Sequence, residues 1–311
     1  MPNSLVTYDQ ELGLVFLDGR LELPEAWRRK LAQHNYQSTL RAWGKFSKDG
    51  EATRHQSYQQ HIGGLADAYH YAIRHEIVYV IGRLEQLLGL ESGTIDQAIQ
   101  LAIATHDLGK LDRKWQHWAR AWQHLVSAKT GWANQYHEPG ETYFFAKTDY
   151  DYRSKEQRDW QKELAEKRPH HACESVMIGK KLLATSLGIT SPRSPNIPVL
   201  RAVCAAIARH HTPQAREYGE TRLDARAIQA FKEAVALVQR DDAWNYESEL
   251  LTLAFGKGQL EAANANRSVL TRPDMFSSQE ELYETWLYFV IVRALRLADQ
   301  RADLFVSFRS F

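Results

Sequence analysis

The chain has 311 residues, 44% hydrophobic and 25% charged, with a formal net charge of +1. That length allows one large domain or two ordinary ones, each with a substantial core, and no apolar run approaches the roughly 18 residues a membrane-spanning helix needs. The balanced charge excludes a bulk polycation while leaving room for a local basic groove.

The opening MPNSLVTYDQ has no basic region followed by an apolar one, so export is not expected and a cytoplasmic location is. Residues 6–17, VTYDQELGLVFL, alternate β-formers around a polar turn and predict a short hairpin. Helical periodicity follows in YQQHIGGLADAYHYAIRHEIVYVIGRLEQLLG, with His61, Leu65, Ala68, Ala72, Leu84, Leu87 and Leu88 on one face and Gly89 as the stop. The next helix, TIDQAIQLAIATHD, places Ile95, Ile99, Ala102 and Ile103 together, with Thr94 as its expected N-cap. Residues 126–160 mix glycine, proline, aromatic and charged residues without period and read as a long insertion.

Helices resume at ACESVMIGKKLLATSLG, pause at ITSPRSPNIP and return in VLRAVCAAIARHH. The pause reads as an interhelical loop, because histidines suited to a metal stand on both sides of it. A last helix is expected from Ser278, whose SQEE resembles a capping box, through LYETWLYFVIVRALRLADQRAD. It is apolar on most sides and is expected to cross the centre of the domain. The predicted class is mainly α, a helical bundle with an N-terminal β-hairpin: residues 1–50 form the hairpin and lead-in, and residues 51–311 one compact domain. Cys173 and Cys204 stand far apart, form no CxxC pair and read as small buried hydrophobes, which fits a reducing compartment.

Chemistry concentrates in ATHDLGKLDRKWQHWARAW, residues 104–122. A lone His-Asp dipeptide is more often a satisfied core pair than a ligand set. Here Gly109 permits close approach, and Lys110 lies three and four residues beyond Asp107 and His106, on the same side of a helical segment. Imidazole with carboxylate suits divalent manganese, iron, cobalt, nickel or zinc. Two such ions about 3.5–4 Å apart are a standard device for hydrolysing phosphoesters. Further ligand types stand on other helices: His61, His170 or His171, His210, His211 and Asp299.

The order H, HD, H, HH, D on successive helices resembles the HD metal-dependent phosphohydrolase superfamily. HDLGKLDRKWQ resembles the HDxGKxxxxFQ block of the HD nuclease domain of CRISPR type I effectors, the "double-prime" part of the nuclease-helicase. HACESV, ARHH and RLADQRAD resemble its HxxxS segment, its paired histidines and its terminal aspartate helix. The resemblance covers residues from about 55 to 305. It implies that His61, His106, Asp107 and Asp299 bind one metal and Asp107, His171, His210 and His211 a second, with Asp107 and Lys110 catalytic and Lys110 on the scissile phosphate. His171 rather than His170 is the implied ligand, because Ser175 has the family spacing from it. Where the family often carries a small hydroxyl residue one turn after the aspartate, this chain has Asp303.

Trp115, Trp118 and Trp122 share one helix face, so they read either as a core stripe or, for Trp118 and Trp122, as surfaces on which bases stack. Ser175 and Arg209 are further substrate-contact candidates. Arg113, Lys114, Arg120, Lys129, Arg209 and Arg216 either line a phosphate groove or form a solvated face. His55, His70, His75, His117, His124 and His137 read as structural or surface residues.

The implied activity is phosphodiester hydrolysis of DNA, single-stranded first, by an endo- and exodeoxyribonuclease holding two divalent transition metals. The implied partners are a helicase domain or subunit and a guide-RNA surveillance complex. The chain has no GKT or GKS phosphate loop, so unwinding is expected to come from elsewhere. Two other readings remain. One is an HD phosphohydrolase acting on nucleotides or cyclic dinucleotides, against which HHTPQAREYGET lacks the GYP of the cyclic-dinucleotide branch. The other is a non-catalytic binding module, against which the retained ligand-type residues count.

Overall fold

The computed structural model describes residues 5–9, 13–17, 55–130, 138–150, 154–211, 217–239, 248–260 and 279–306. Ser278, His137, Arg216 and the side chain of Asp303 lie outside the described residues. Strands β1 (Leu5–Asp9) and β2 (Gly13–Leu17) pair antiparallel, Leu5 opposite Leu17 and Asp9 opposite Gly13. This is the hairpin the alternation predicts.

The first helical run begins after β3 (Gln56–Ser57) with a capping box: Ser57 Oγ accepts from Gln60 N at 3.1 Å, and Gln60 Oε1 accepts from Ser57 N at 2.9 Å. Helix α1 (Tyr58–Ala68), a π-helical turn (Tyr69–Ile73) and α2 (Arg74–Leu88) follow without a break as far as Gly89. The π turn corrects the predicted apolar face. One extra residue rotates everything beyond it by roughly 100°, so Ile81, Leu84 and Glu85 turn inward while Leu87 is 40% exposed.

Helix α3 (Thr94–Thr105) is also capped differently from expectation. Gly93, at φ +89°, is the N-cap residue and Thr94 is the first helical residue. The buried Glu85 carboxylate accepts from Gly93 N at 3.1 Å and Ile95 N at 2.8 Å, satisfying free amides and favouring the positive end of the helix. Ile95, Ile99, Ala102 and Ile103 are fully buried, so α3 is a central strut that delivers His106 and Asp107 at its C-terminus.

After the 3₁₀ turn Leu108–Leu111 comes α4 (Arg113–Lys129), capped by Asp112, whose Oδ2 accepts from Lys114 N at 2.8 Å. Because α4 runs to Lys129, the insertion starts later than its composition suggests. It contributes β4 (Phe145–Lys147), antiparallel to β3, and α5 (Lys155–Gln161). Trp115, Trp118, Trp122, Val126 and Phe145 form a second apolar cluster beside the main core.

Helices α6 (Ala172–Ser186) and α7 (Ile197–Ala208) flank the Ser/Pro loop as expected. Strands β5 (Glu217–Tyr218) and β6 (Thr221–Arg222) pair with β8 (Gly258–Gln259) and β7 (Ala254–Phe255), on either side of α8 (Ala225–Val238). The last helix, α9 (Gln279–Val306), packs along α1, α3 and α7. Leu287, Ile291, Ala294, Leu295, Ala298 and Ala302 form its buried face, whereas Trp286 and Phe289 are 55% and 40% exposed. It therefore lies along the core with one face outward instead of crossing the centre. No described helix is long and apolar enough to cross a membrane.

Candidate metal centre

The ends of α3, α6 and α7 and the middles of α1 and α9 meet around one buried carboxylate. Asp107 Oδ2 lies 3.2 Å from His61 Nε2, 3.3 Å from His106 Nε2 and 2.7 Å from Lys110 Nζ. Its Oδ1 lies 3.2 Å from His171 Nε2 and 3.8 Å from His210 Nε2. His211 Nε2 is 3.1 Å from His171 Nε2, and Asp299 Oδ1 is 3.4 Å from His61 Nε2. His61, His106 and Asp107 make one convergent donor group and Asp107, His171, His210 and His211 another, each with donor atoms within 4.8 Å of one another.

The backbone sets which ring nitrogen faces inward. His106 Nδ1 donates to Ile103 O at 2.9 Å and His210 Nδ1 to Ile207 O at 2.6 Å. A carbonyl can only accept, so both rings carry the proton on Nδ1 and turn the Nε2 lone pair to the centre. His61 is oriented likewise, by Gln56 Oε1 at 3.3 Å from its Nδ1. Nε2 of His61, His106 and His210 and Oδ1 of Asp107 are buried without a hydrogen-bond partner, while Asp107 Oδ2 has the Lys110 ammonium. Orphaned acceptors of this kind are costly in a core, and a divalent cation coordinated by them removes that cost. The donor set therefore fits a metal.

The family model described as Cas3, HD domain, matches residues 43–281. The chain belongs to the Cas3 HD-domain family. Membership makes it a metal-dependent nuclease of type I CRISPR systems at the level of class. No curated protein and no solved structure matches the chain. Asp299 lies beyond the matched segment; packing of α9 against α1 brings it to His61.

Electrostatics in this Cas3 HD domain keep most of the imidazoles neutral. Burial pushes His171 down to about 3 and His210 down to about 4, helped by the charges of Lys110 and His210 on the former and of His106 on the latter. Burial also lowers His61 and His211. For His106 burial works downward too, but the adjacent Asp107 carboxylate outweighs it and the group is raised. Burial would raise Asp107, yet His106 and Lys110 hold it well below the usual carboxylate range.

These shifts have a sign that metal-free protein should reveal. A histidine whose pKa is lowered on folding takes up its proton in the unfolded chain first, so stability is complete above 6.5 and declines as pH falls toward 4 and then 3. His106 acts in the opposite sense but is outnumbered by His61, His171, His210 and His211. Melting temperatures of the metal-free protein should fall from pH 7 to pH 5, and a flat profile would refute the neutral assignment.

Several sequence candidates take different roles in the structure. Trp118 and Trp122 are buried, 1% and 0% exposed, and stack on each other at 6.1 Å and 12°. Neither offers a face to a base, and the core reading of the stripe holds. Ser175 is also fully buried: its Oγ accepts from Gly109 N and donates to His171 O, both at 2.8 Å. It joins the HD turn to the His171 loop and does not reach substrate. Arg209 is buried at the C-terminus of α7. Lys110 remains at the centre, with Nζ over the Trp115 ring at 5.7 Å. His170 is exposed and His171 buried, as the HxxxS spacing implies. Cys173 and Cys204 are buried, and burial pushes both thiols up to about 12.

The sequence reading missed Arg296, which seats candidate ligands, and placed Gln116 only as the last residue of the HDLGKLDRKWQ block. Arg296 donates to His210 O at 3.0 Å and Arg209 O at 2.7 Å, satisfying carbonyls at the end of α7 and seating the paired histidines. It stands three residues before Asp299, a spacing that could have drawn attention to it. Gln116 donates Nε2 to Lys110 O at 2.6 Å and Phe145 O at 2.7 Å, and its Oε1 accepts from Phe145 N at 2.8 Å. It thus ties the Lys110 turn to the insertion strand. Gln116→Leu leaves buried backbone groups unpaired at about 1–3 kcal/mol each, so chemical denaturation should show a loss of about 2–4 kcal/mol. A loss under about 0.5 kcal/mol, the scale of an ordinary surface substitution, would contradict the clamp.

Proposed function

We propose that the chain hydrolyses phosphodiester bonds of DNA, preferring a single strand and cutting both internally and from ends, in type I CRISPR interference. The observation that supports this most directly is the sharing of Asp107 between two donor groups, one facing each carboxylate oxygen. On this reading His61, His106, Asp107 and Asp299 hold one ion, and Asp107, His171, His210 and His211 hold the other. Imidazole with carboxylate suits manganese, iron, nickel or cobalt. Bound there, two ions would supply an activated water and stabilise the charge that develops on the phosphoryl oxygens.

The protein's own groups prepare that chemistry. Backbone carbonyls turn Nε2 of His106 and His210 to the centre, and burial keeps His210 neutral, so at His210 no proton has to leave before a ligand binds. Burial excludes bulk water and strengthens each charge interaction. Lys110, three residues beyond Asp107, brings an ammonium to the one carboxylate common to both groups and can turn it toward a phosphate oxygen. A helicase domain or subunit would deliver the strand, and a guide-RNA surveillance complex would choose it, in the cytoplasm. Residues 51–311 would form the nuclease domain, with residues 1–50 the hairpin and its lead-in.

The deciding experiment incubates the metal-reconstituted protein with single-stranded DNA, duplex DNA and a nucleotide panel. Cleavage of single-stranded DNA is expected. Turnover of nucleotides without DNA cleavage would replace the reading with that of a nucleotide phosphohydrolase, and inactivity with every metal would leave a binding module.

A further inference from the structure

Basic residues near the centre differ in how their charge is used. Lys114 pairs with Glu220 and Lys129 with Glu163, each at 2.8 Å. Arg120 directs its guanidinium to Glu138 and to the carbonyls of Pro139, Gly140 and Tyr143. Arg296 is bound to the end of α7 and Lys110 to Asp107. Arg168 stands apart. Its guanidinium lies 5.5 Å from the centre of the Trp118 ring and 5.4 Å from that of Tyr150, and among the described residues it makes neither a hydrogen bond nor an ion pair.

Its place follows from the chain and the packing. Arg168 precedes His171 by three residues, at most about 11 Å of extended backbone. Trp118, which carries it, abuts Trp115 at 5.9 Å, and the Trp115 ring lies 6.5 Å from that of His171. The guanidinium is partly desolvated, which lowers its pKa, and it is close enough to Asp107 to feel that charge. The rings of Trp118 and Tyr150 stand at 83° to each other and hold the cation from two sides. A guanidinium held by aromatic faces keeps its N–H donors unused, in a planar fork that matches two oxygens of a phosphate. An arginine left without an anion beside a site that cuts polyanions has an evident missing partner.

We propose that Arg168 is a substrate-binding residue that grips a backbone phosphate of the bound strand, adjacent to the bond cut at the metal centre; this rests on the nuclease reading above. The aromatic cluster of α4 then serves the site indirectly, by mounting this cation instead of stacking bases. Sequence offered little to find it, because KRPHH has the composition of an ordinary basic loop.

The test compares the metal-loaded wild type with Arg168→Met and Arg168→Lys. Affinity for a fluorescently labelled phosphorothioate oligodeoxythymidylate is measured by anisotropy across a salt series. Each phosphate neutralised contributes about 0.7 to the slope of log K against log salt for single strands. Arg168→Met should bind about tenfold more weakly with a slope shallower by about 0.7. Arg168→Lys should keep the slope but bind more weakly than wild type, having a charge without the fork. Cleavage of the ordinary oligonucleotide should show the loss mainly in KM. Unchanged slope and affinity in Arg168→Met, with only a lower melting temperature, would make Arg168 a packing residue and overturn the proposal. Wild type that hydrolyses bis(4-nitrophenyl) phosphate but neither binds nor cuts the oligonucleotide would instead remove the nuclease reading, and this proposal with it.

Discussion

Asp107→Ala should abolish DNA cleavage with every metal and reduce metal uptake at both donor groups together. The reason is geometric: one carboxylate faces His61, His106 and Lys110 through Oδ2 and His171 and His210 through Oδ1. Loss of an outer-shell partner typically costs about 10–100-fold in metal affinity or activity, and loss of the shared ligand should exceed that. Removing one member of a buried ion pair also costs about 3–5 kcal/mol, so Asp107→Asn, which keeps the volume, is the companion variant. Metal content by elemental analysis and single-turnover cleavage report the two effects separately. A variant that binds metal at wild-type stoichiometry and still cuts would end the two-metal reading. His61→Ala should depress uptake at one group only.

Gly109→Ala should be the most damaging of the small substitutions. A Cβ at position 109 would lie 2.3 Å from His171 O, 2.9 Å from His171 Cα and 3.0 Å from Glu174 Cβ. Two of these are backbone atoms that no rotamer change can move. The same contact carries the hydrogen bond from Gly109 N to Ser175 Oγ, so relief of the clash would separate the HD turn from the His171 loop. Overpacking costs about 1–3 kcal/mol and sometimes more, and this case belongs at the upper end. A melting temperature lowered by several degrees with weaker metal uptake is expected, whereas wild-type stability and activity would show that the turn is looser than its packing indicates. Ser175→Ala should weaken the same junction more mildly, because it removes the hydrogen bond without adding a clash.

Much of the candidate site was legible because its residues are of rare, chemically distinctive types. His61, His106, Asp107, His171, His210, His211 and Asp299 could be named before any coordinate was known, since their order along successive helices matches a family whose motifs are short but specific as a set. The choice between His170 and His171 also followed from the resemblance, through the family's HxxxS spacing. The supporting residues were not legible. Gln56, Arg168 and Arg296 are of common types whose role depends on what lies opposite, and their partners are a histidine ring, an aromatic pair and the end of another helix.

The errors have a similar origin. The π turn at Tyr69–Ile73 rotated the later face of the first helical run, which a fixed helical period cannot anticipate. Glu85 displaced Thr94 from its expected capping role because tertiary packing brought a carboxylate to amides it could satisfy. The spacing of Trp118 and Trp122 showed only that they share a face.

By itself the sequence determined the helical class, the N-terminal hairpin and the family, and it pointed to the candidate ligands, because periodicity, turn chemistry and side-chain type are local properties of the chain. Tertiary structure alone decided which oxygen of Asp107 faces which histidines, that the tryptophans are core, and that Arg168 lies against an aromatic pair. Those are properties of what packs against what. They arise only when α9 closes on α1 and the insertion strand closes on the Lys110 turn.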